Sequence, residues 1–172
     1  GLTEGEEFAS LTISTGTDGY ETYFHDMRAG IPTPATKWIP LQQGFEHKTS
    51  IVDFVPATGK FLVMTEVDAP NYRLVEVDPA KPQQAGWKDI IPHKTDLLQG
   101  VSTGGGNLFA EYLKDATSRF YRYKLDGSGE QAIQLPDIGS AGGFGGERGD
   151  TFGFYSFTSF TDPGSIYKYD YT

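Results

Sequence analysis

The stretch Asp150-Thr151-Phe152-Gly153-Phe154-Tyr155-Ser156-Phe157-Thr158-Ser159-Phe160-Thr161-Asp162-Pro163-Gly164-Ser165-Ile166-Tyr167-Lys168-Tyr169-Asp170-Tyr171-Thr172 carries the pattern that the rest of the chain repeats. In an extended chain Phe152, Phe154, Ser156, Thr158 and Phe160 share one face, and Tyr155, Phe157 and Ser159 share the other. Past Asp162-Pro163-Gly164, the residues Ile166, Lys168 and Asp170 alternate with Tyr167, Tyr169 and Tyr171. Aromatic residues at period two on both sides of an Asp-Pro-Gly turn predict strand, turn, strand.

The same pattern recurs along the chain. A hydrophobic strand leaves a glycine-containing turn at Phe8–Ser14, Lys60–Glu66, Asn107–Leu113 and Thr151–Ser159. A strand ending in aspartate follows it at Glu21–Asp26, Tyr72–Asp78, Arg119–Asp126 and Ser165–Asp170. A short strand closing on proline comes third, at Trp38–Pro40, Trp87–Pro92 and Ala132–Pro136. A fourth precedes each new unit, at Ser50–Val55, Leu97–Thr103 and Ser140–Gly146. With strands named a to d from the inside outward, the chain reads bcd, abcd, abcd, abc. Four strands in a period of about 45–50 residues are the mark of a β-propeller blade.

The expected fold is therefore all-β, a partial β-propeller of about three and a half four-stranded antiparallel blades. The blade-like units fall at about 1–45, 46–93, 94–137 and 138–172. The first unit lacks its a strand and the last its d strand. Both therefore present open sheet edges, which invite pairing, including with a second copy of the chain. Gly104-Gly105-Gly106 and Gly142-Gly143 fall in or beside a strands, where backbones crowd together.

Composition narrows the function classes. The net charge is -9, and no Lys/Arg cluster offsets it, so binding to nucleic acid phosphates is not expected. Cysteine is absent, which rules out disulfides, thiol catalysis and cysteine-ligated metal within these residues but leaves the compartment, cytoplasmic or periplasmic, open. No apolar run approaches the ~20 residues a membrane helix needs, so a soluble chain with no membrane partner is expected. The opening Gly1-Leu2-Thr3-Glu4-Gly5-Glu6-Glu7 has no basic or apolar region of a signal peptide, and the chain reads as a piece of something longer.

Few residues suggest chemistry. His25, His47 and His93 lie far apart without metal-ligand spacing, so no metal or cofactor is expected. The run Gly100-Val101-Ser102-Thr103-Gly104-Gly105-Gly106 lacks the Lys-Ser/Thr of a phosphate-binding loop and any helical pattern after it, which predicts a tight turn. No nucleophile elbow of the Gly-x-Ser-x-Gly type is expected, and nothing supports a triad built from scattered residues. Arg148-Gly149-Asp150 is read as an ordinary turn and Glu4, Glu6 and Glu7 as a solvated acidic run. Aromatics alternating in strands fill the space between sheets. The residues specify an architecture and no catalytic centre.

Particular residues add a resemblance. Asp150-Thr151, Tyr155-Ser156-Phe157-Thr158-Ser159-Phe160, Pro163-Gly164 and Ile166-Tyr167-x-Tyr169-Asp170 together resemble the last propeller blade of the prolyl oligopeptidases. Pro70-Asn71-Tyr72-Arg73-Leu74 with Trp87-Lys88-x-x-Ile91-Pro92 is similar to the preceding region. So are Tyr112-Leu113-Lys114-Asp115 with Ser140-x-x-Gly143-Phe144-x-Gly146. The resemblance implies the second half of a seven-bladed propeller, from within blade four to within blade seven. It also implies a partner α/β-hydrolase domain that carries a Ser-Asp-His triad and cleaves proline-containing oligopeptides after proline. In that family the propeller covers the active site and admits only small peptides. The catalytic domain is absent from these residues, so no catalytic residue carries over and the piece alone is expected to be inert. The loop Ser14-Thr15-Gly16-Thr17-Asp18 resembles a family loop facing the internal cavity, which makes Thr17 the substrate-cavity candidate. The second reading is a non-enzymatic scaffold module that self-associates into a homodimer through its open sheet edges.

Overall fold

The computed structural model describes all of residues 1–172. Fourteen strands make four antiparallel sheets. The first holds β1 (Phe8–Ser14), β2 (Tyr20–Asp26) and β3 (Ile39–Gln42), and the second β4 (Thr49–Val55), β5 (Lys60–Thr65), β6 (Arg73–Val77) and β7 (Lys88–Ile91). The third holds β8 (Leu97–Gly104), β9 (Asn107–Lys114), β10 (Thr117–Lys124) and β11 (Gln131–Ile133), and the fourth β12 (Ser140–Gly142), β13 (Phe152–Thr158) and β14 (Ser165–Asp170). In every sheet sequence neighbours are spatial neighbours, as short turns between antiparallel strands require. The order is bcd, abcd, abcd, abc, as the repeat predicts, and the last sheet has no fourth strand beyond β14.

The chain forms two compact units, Gly1–His93 and Lys94–Thr172, each a pair of sheets. In the first, Phe8, Phe24 and Leu41 from β1–β3 meet Phe54, Phe61, Val63, Val75 and Val77 from β4–β7 in one buried cluster. Phe8 and Phe61 meet edge to face with centroids 4.7 Å apart, and Phe24 and Phe61 at 5.0 Å. Such pairs add about 0.5–1.5 kcal/mol each beyond the area they bury. Thr49 and Thr65, both fully buried, face each other across β4 and β5 with hydroxyls 2.7 Å apart. Thr65 Oγ1 also accepts the Val67 N–H, and Thr22 Oγ1 donates to the Thr49 carbonyl at 2.6 Å. These hydroxyls satisfy polar groups that would otherwise be stranded in an apolar core.

In the second unit, Phe109, Phe120 and Ile133 on one face of the β8–β11 sheet pack with Tyr155, Phe157 and Tyr171 from the last sheet. Phe144, in the connection between β12 and β13, lies among them. It stacks on Tyr155 with centroids 4.5 Å apart and 17° between planes, and on Phe109 at 5.8 Å and 22°. The opening stretch thus keeps its expected alternation: Tyr155 and Phe157 are buried, while Phe152, Phe154, Ser156 and Thr158 are exposed.

Local details depart from the expected spans. Short 3-10 turns at Met27–Ala29 and Gln84–Gly86 interrupt the connections, and Trp38 and Trp87 lie just outside β3 and β7. The strand expected over Ser140–Gly146 ends at Gly142, because Gly143 takes φ +91°, which an L-residue in a strand does not adopt. Register shifts at Ile51/Asp53 and Leu98/Gly100 are β-bulges invisible to a period-two pattern.

Candidate functional site

Thr17 lies in the loop between β1 and β2, where Ser14 to Asp18 are all exposed. The base of this loop is fixed. A Cβ on Gly19 would come within 2.5 Å of the His47 backbone nitrogen and 2.7 Å of the Phe45 carbonyl oxygen, so only glycine fits. Next to it the Tyr20 N–H donates to the His47 carbonyl at 3.0 Å and the Tyr20 hydroxyl meets Ser50 Oγ at 2.8 Å. Glu21 anchors the far side by accepting the Gly44 N–H at 2.7 Å and the Tyr23 hydroxyl at 2.9 Å. The loop presents hydroxyls and the Asp18 carboxylate to solvent from a rigid base. It holds no base paired with a nucleophile, so it can make contacts but not catalyse.

The glycine-rich stretch serves packing. Gly105 has φ +55°, and a Cβ there would meet the Asp150 carbonyl at 2.6 Å and the Tyr171 ring at 2.6 Å. The Gly105 N–H donates to the Glu147 carbonyl at 2.9 Å, and the Gly146 N–H to the Thr103 carbonyl at 2.9 Å. With these donors committed to another segment of the chain, no phosphate cradle forms. The expectation that the chain holds no Gly-x-Ser-x-Gly is corrected by its own letters, since Gly100-Val101-Ser102-Thr103-Gly104 has that spacing. It forms no elbow: all five residues lie within β8, a hairpin and not a helix follows, and Ser102 Oγ donates to the Phe144 carbonyl at 2.6 Å. No histidine occurs in residues 94–172, so no Ser-His pair forms within its unit.

The histidines have local duties. His25 Nε2 donates to the Gly30 carbonyl at 2.7 Å, and His93 Nε2 accepts the Asn71 N–H at 3.1 Å. No group of three His, Cys, Asp or Glu side chains is disposed to hold a metal ion. Arg148-Gly149-Asp150 forms a turn in which Asp150 Oδ2 accepts the Glu147 N–H at 2.8 Å.

One electrostatic cluster escaped the sequence reading. Lys94 Nζ lies 5.2 Å from the Tyr112 ring, 5.8 Å from Tyr121 and 5.9 Å from Tyr123, and donates to Glu130 Oε2 at 3.2 Å. The Tyr123 hydroxyl donates to the same carboxylate oxygen at 3.0 Å. Burial, with Glu130 nearby, pushes the Tyr112 hydroxyl up to about 12, and burial followed by the bond to Glu130 raises Tyr123 too. Burial would raise Glu130, but the bonds from Lys94 and Tyr123 outweigh it and hold the carboxyl below its usual range. Because its lysine already fills this cage, the cluster is a clamp.

The family is settled by comparison with known proteins. The model of the prolyl oligopeptidase N-terminal β-propeller domain matches residues 1–172. The chain belongs to this family. It is 34% identical over 171 residues to a prolyl endopeptidase of Elizabethkingia meningoseptica, covering 99% of this chain and 23% of that protein. It is 35% identical to the prolyl endopeptidase of Elizabethkingia miricola over 98% of this chain and 23% of that one. A solved prolyl endopeptidase structure, described with its inter-domain dynamics, superposes with a TM-score of 0.86 at 34% identity, over 98% of this chain and 24% of its own. Prolyl oligopeptidase B of Galerina marginata has the same fold at 18% identity, also with a TM-score of 0.86, over 99% of this chain and 24% of its own. The chain therefore spans about a quarter of the length of the relatives it matches, and its all-β sheets are those of the family propeller. No helix is long and apolar enough to cross a membrane.

Proposed function

We propose that these blades are the propeller part of a serine-type endopeptidase that cleaves short peptides after proline. In that role they cover the active site of a hydrolase domain and exclude large substrates, and the 172 residues alone are inactive. The observation that carries this reading is the family match over residues 1–172, at 34% identity to a prolyl endopeptidase. The geometry agrees, because Ser102 is spent on a carbonyl hydrogen bond within a strand and no catalytic constellation surrounds Thr17. Rate enhancement needs nucleophile, base and oxyanion donors positioned together. In this reading Thr17 touches substrate without taking part in the chemistry.

The test is made on the whole polypeptide. A proline-containing octapeptide and a folded protein with exposed prolines are compared as substrates, with blades intact and with residues 1–172 deleted. Selective cleavage of the octapeptide by the intact protein, lost or relaxed on deletion, is expected. Equal cleavage of both substrates by the intact protein would overturn the size filter.

A second reading is favoured by one feature. Phe154 and Ile166 are 56% and 70% exposed on the outward face of the last sheet, beside exposed Phe152. In a propeller a further blade would cover them, and in the 172-residue chain alone a second copy pairing with the open edge at β14 would cover them too. Light scattering across micromolar concentrations tests the homodimer, and a monomer throughout contradicts it.

A further inference from the structure

The face of the β8–β11 sheet that packs on the last sheet carries charged side chains, and one of them, Arg122, is committed to the Asp170 and Tyr171 carbonyls and the Tyr169 ring. Phe109 and Phe120 lie on it, and so does Glu111, between them in register: Glu111 pairs with Phe120 on β10 and with Gly100 on β8. A carboxylate on a face built for inter-sheet packing calls for a counterpart. Its one protein partner is weak for a charged group: the Ser118 hydroxyl donates to Glu111 Oε1 at 3.1 Å. No cation of the chain pairs with it.

Space has been left in front of it. Gly100 sits just past the β-bulge at Leu98/Gly100, and a Cβ there would meet nothing within 4 Å, so its glycine is not imposed by crowding. Opposite, β12 ends at Gly142 and the chain turns at Gly143. The result is a cavity of about 210 Å³ whose lining includes Gly100, Ser102, Phe109, Glu111, Phe120 and Phe144. That volume is below the ~300–1,000 Å³ of sites for whole drug-sized ligands and suits one side chain. The walls are aromatic rings, the only charge on them is a carboxylate, and aromatic faces attract cations as carboxylates do.

We infer that this cavity is a binding site for the side chain of a peptide lysine, its alkyl stem against Phe109, Phe120 and Phe144 and its ammonium at Glu111. A neutral polar group would gain less from the carboxylate than a cation, and an anion would be repelled. The inference is independent of whether the whole polypeptide hydrolyses peptides, because it concerns binding to residues of one unit.

The experiment is a titration of the protein followed by amide chemical shifts, with n-butylammonium, 1-butanol and N-acetyl-lysine N-methylamide as probes. Butylammonium and the blocked lysine should shift Gly100, Glu111 and Gly143 saturably, with dissociation constants on the order of 1–10 mM for so few atoms. Butanol should bind at least about tenfold more weakly, and Glu111→Gln should weaken both amines about tenfold, as loss of a charge-assisted contact does. Gly100→Val, which fills the cavity and keeps the charge, should abolish binding while leaving the spectrum of a folded protein. Equal binding of butanol and butylammonium, or unchanged binding in Glu111→Gln, would overturn the inference. So would the absence of saturable shifts at these residues. Entry of butylammonium without the blocked lysine would overturn the assignment to a peptide side chain.

Discussion

Phe144 offers the sharpest test of how the second unit is held together. It belongs to no strand, yet it is 7% exposed and touches rings from both sheets: Phe109, Phe120 at 4.8 Å, Tyr155 and Tyr169 at 5.6 Å. Replacing it with alanine removes a buried ring and leaves a void between two sheets that cannot both collapse onto it. Large-to-small changes of this kind cost about 3–5 kcal/mol. Because four ring contacts are lost together, the upper half of that range is expected. Against a total stability of ~5–15 kcal/mol this is a large fraction. In urea, with a slope of ~2 kcal/mol/M, the midpoint should fall by roughly 2 M. Both tryptophans, Trp38 and Trp87, lie in residues 1–93, so fluorescence reports the other unit. The assay is therefore far-UV circular dichroism together with hydrogen exchange at the amides of β9 and β13. Phe144→Leu, which keeps most of the apolar volume, should recover more than half of the loss. A Phe144→Ala protein destabilised by less than ~1 kcal/mol would refute the view that this loop ring joins the two sheets.

Other side chains and glycines give further expected outcomes. Gly105→Ala should lower the melting temperature by several degrees, since it adds a left-handed backbone strain of ~1–2 kcal/mol and a clash with Asp150 and Tyr171. Gly100→Ala, in open space, should move it by less than about 2 °C. In the first unit, Thr65→Val should cost about 1–3 kcal/mol by stranding the Val67 N–H and the Thr49 hydroxyl. The Thr49→Val/Thr65→Val double variant should lose less than the sum of the singles in urea titrations. The Glu130 carboxyl is depressed in the folded protein, so its contribution is present above its ordinary value of 4.5 and fades as pH falls below it. Lys94→Met should flatten that acid limb of a stability–pH profile and leave the profile between about pH 6 and pH 8 parallel to that of the unchanged protein.

The architecture was legible because each blade repeats the same order of residue types. Alternation of Tyr155 and Phe157 with Phe154 and Ser156 places buried and exposed faces without any tertiary information. Turn glycines at positive φ such as Gly59 and Gly127 mark where the strands reverse. The features that escaped depend on tertiary context. Phe144 sits in a connection, where no periodicity points inward. The bulge at Leu98/Gly100 flips register, so Glu111 cannot be placed beside Gly100 by counting. Lys94 is one lysine among many until the fold gathers Tyr112, Tyr121 and Tyr123 around it. Gly100–Gly104 shows the reverse hazard: its letters fit a nucleophile motif, and only its place within β8 shows that they do not form one.

Residues 1–172 match the propeller domain of the prolyl oligopeptidase family, and their proposed role leaves the chemistry to another part of the polypeptide. The decisive measurement is incubation of the 172-residue chain, alongside its Ser102→Ala variant, with a chromogenic peptide carrying proline before the scissile bond. No turnover above buffer is expected for either protein. Hydrolysis by the unchanged chain that disappears in Ser102→Ala would contradict it.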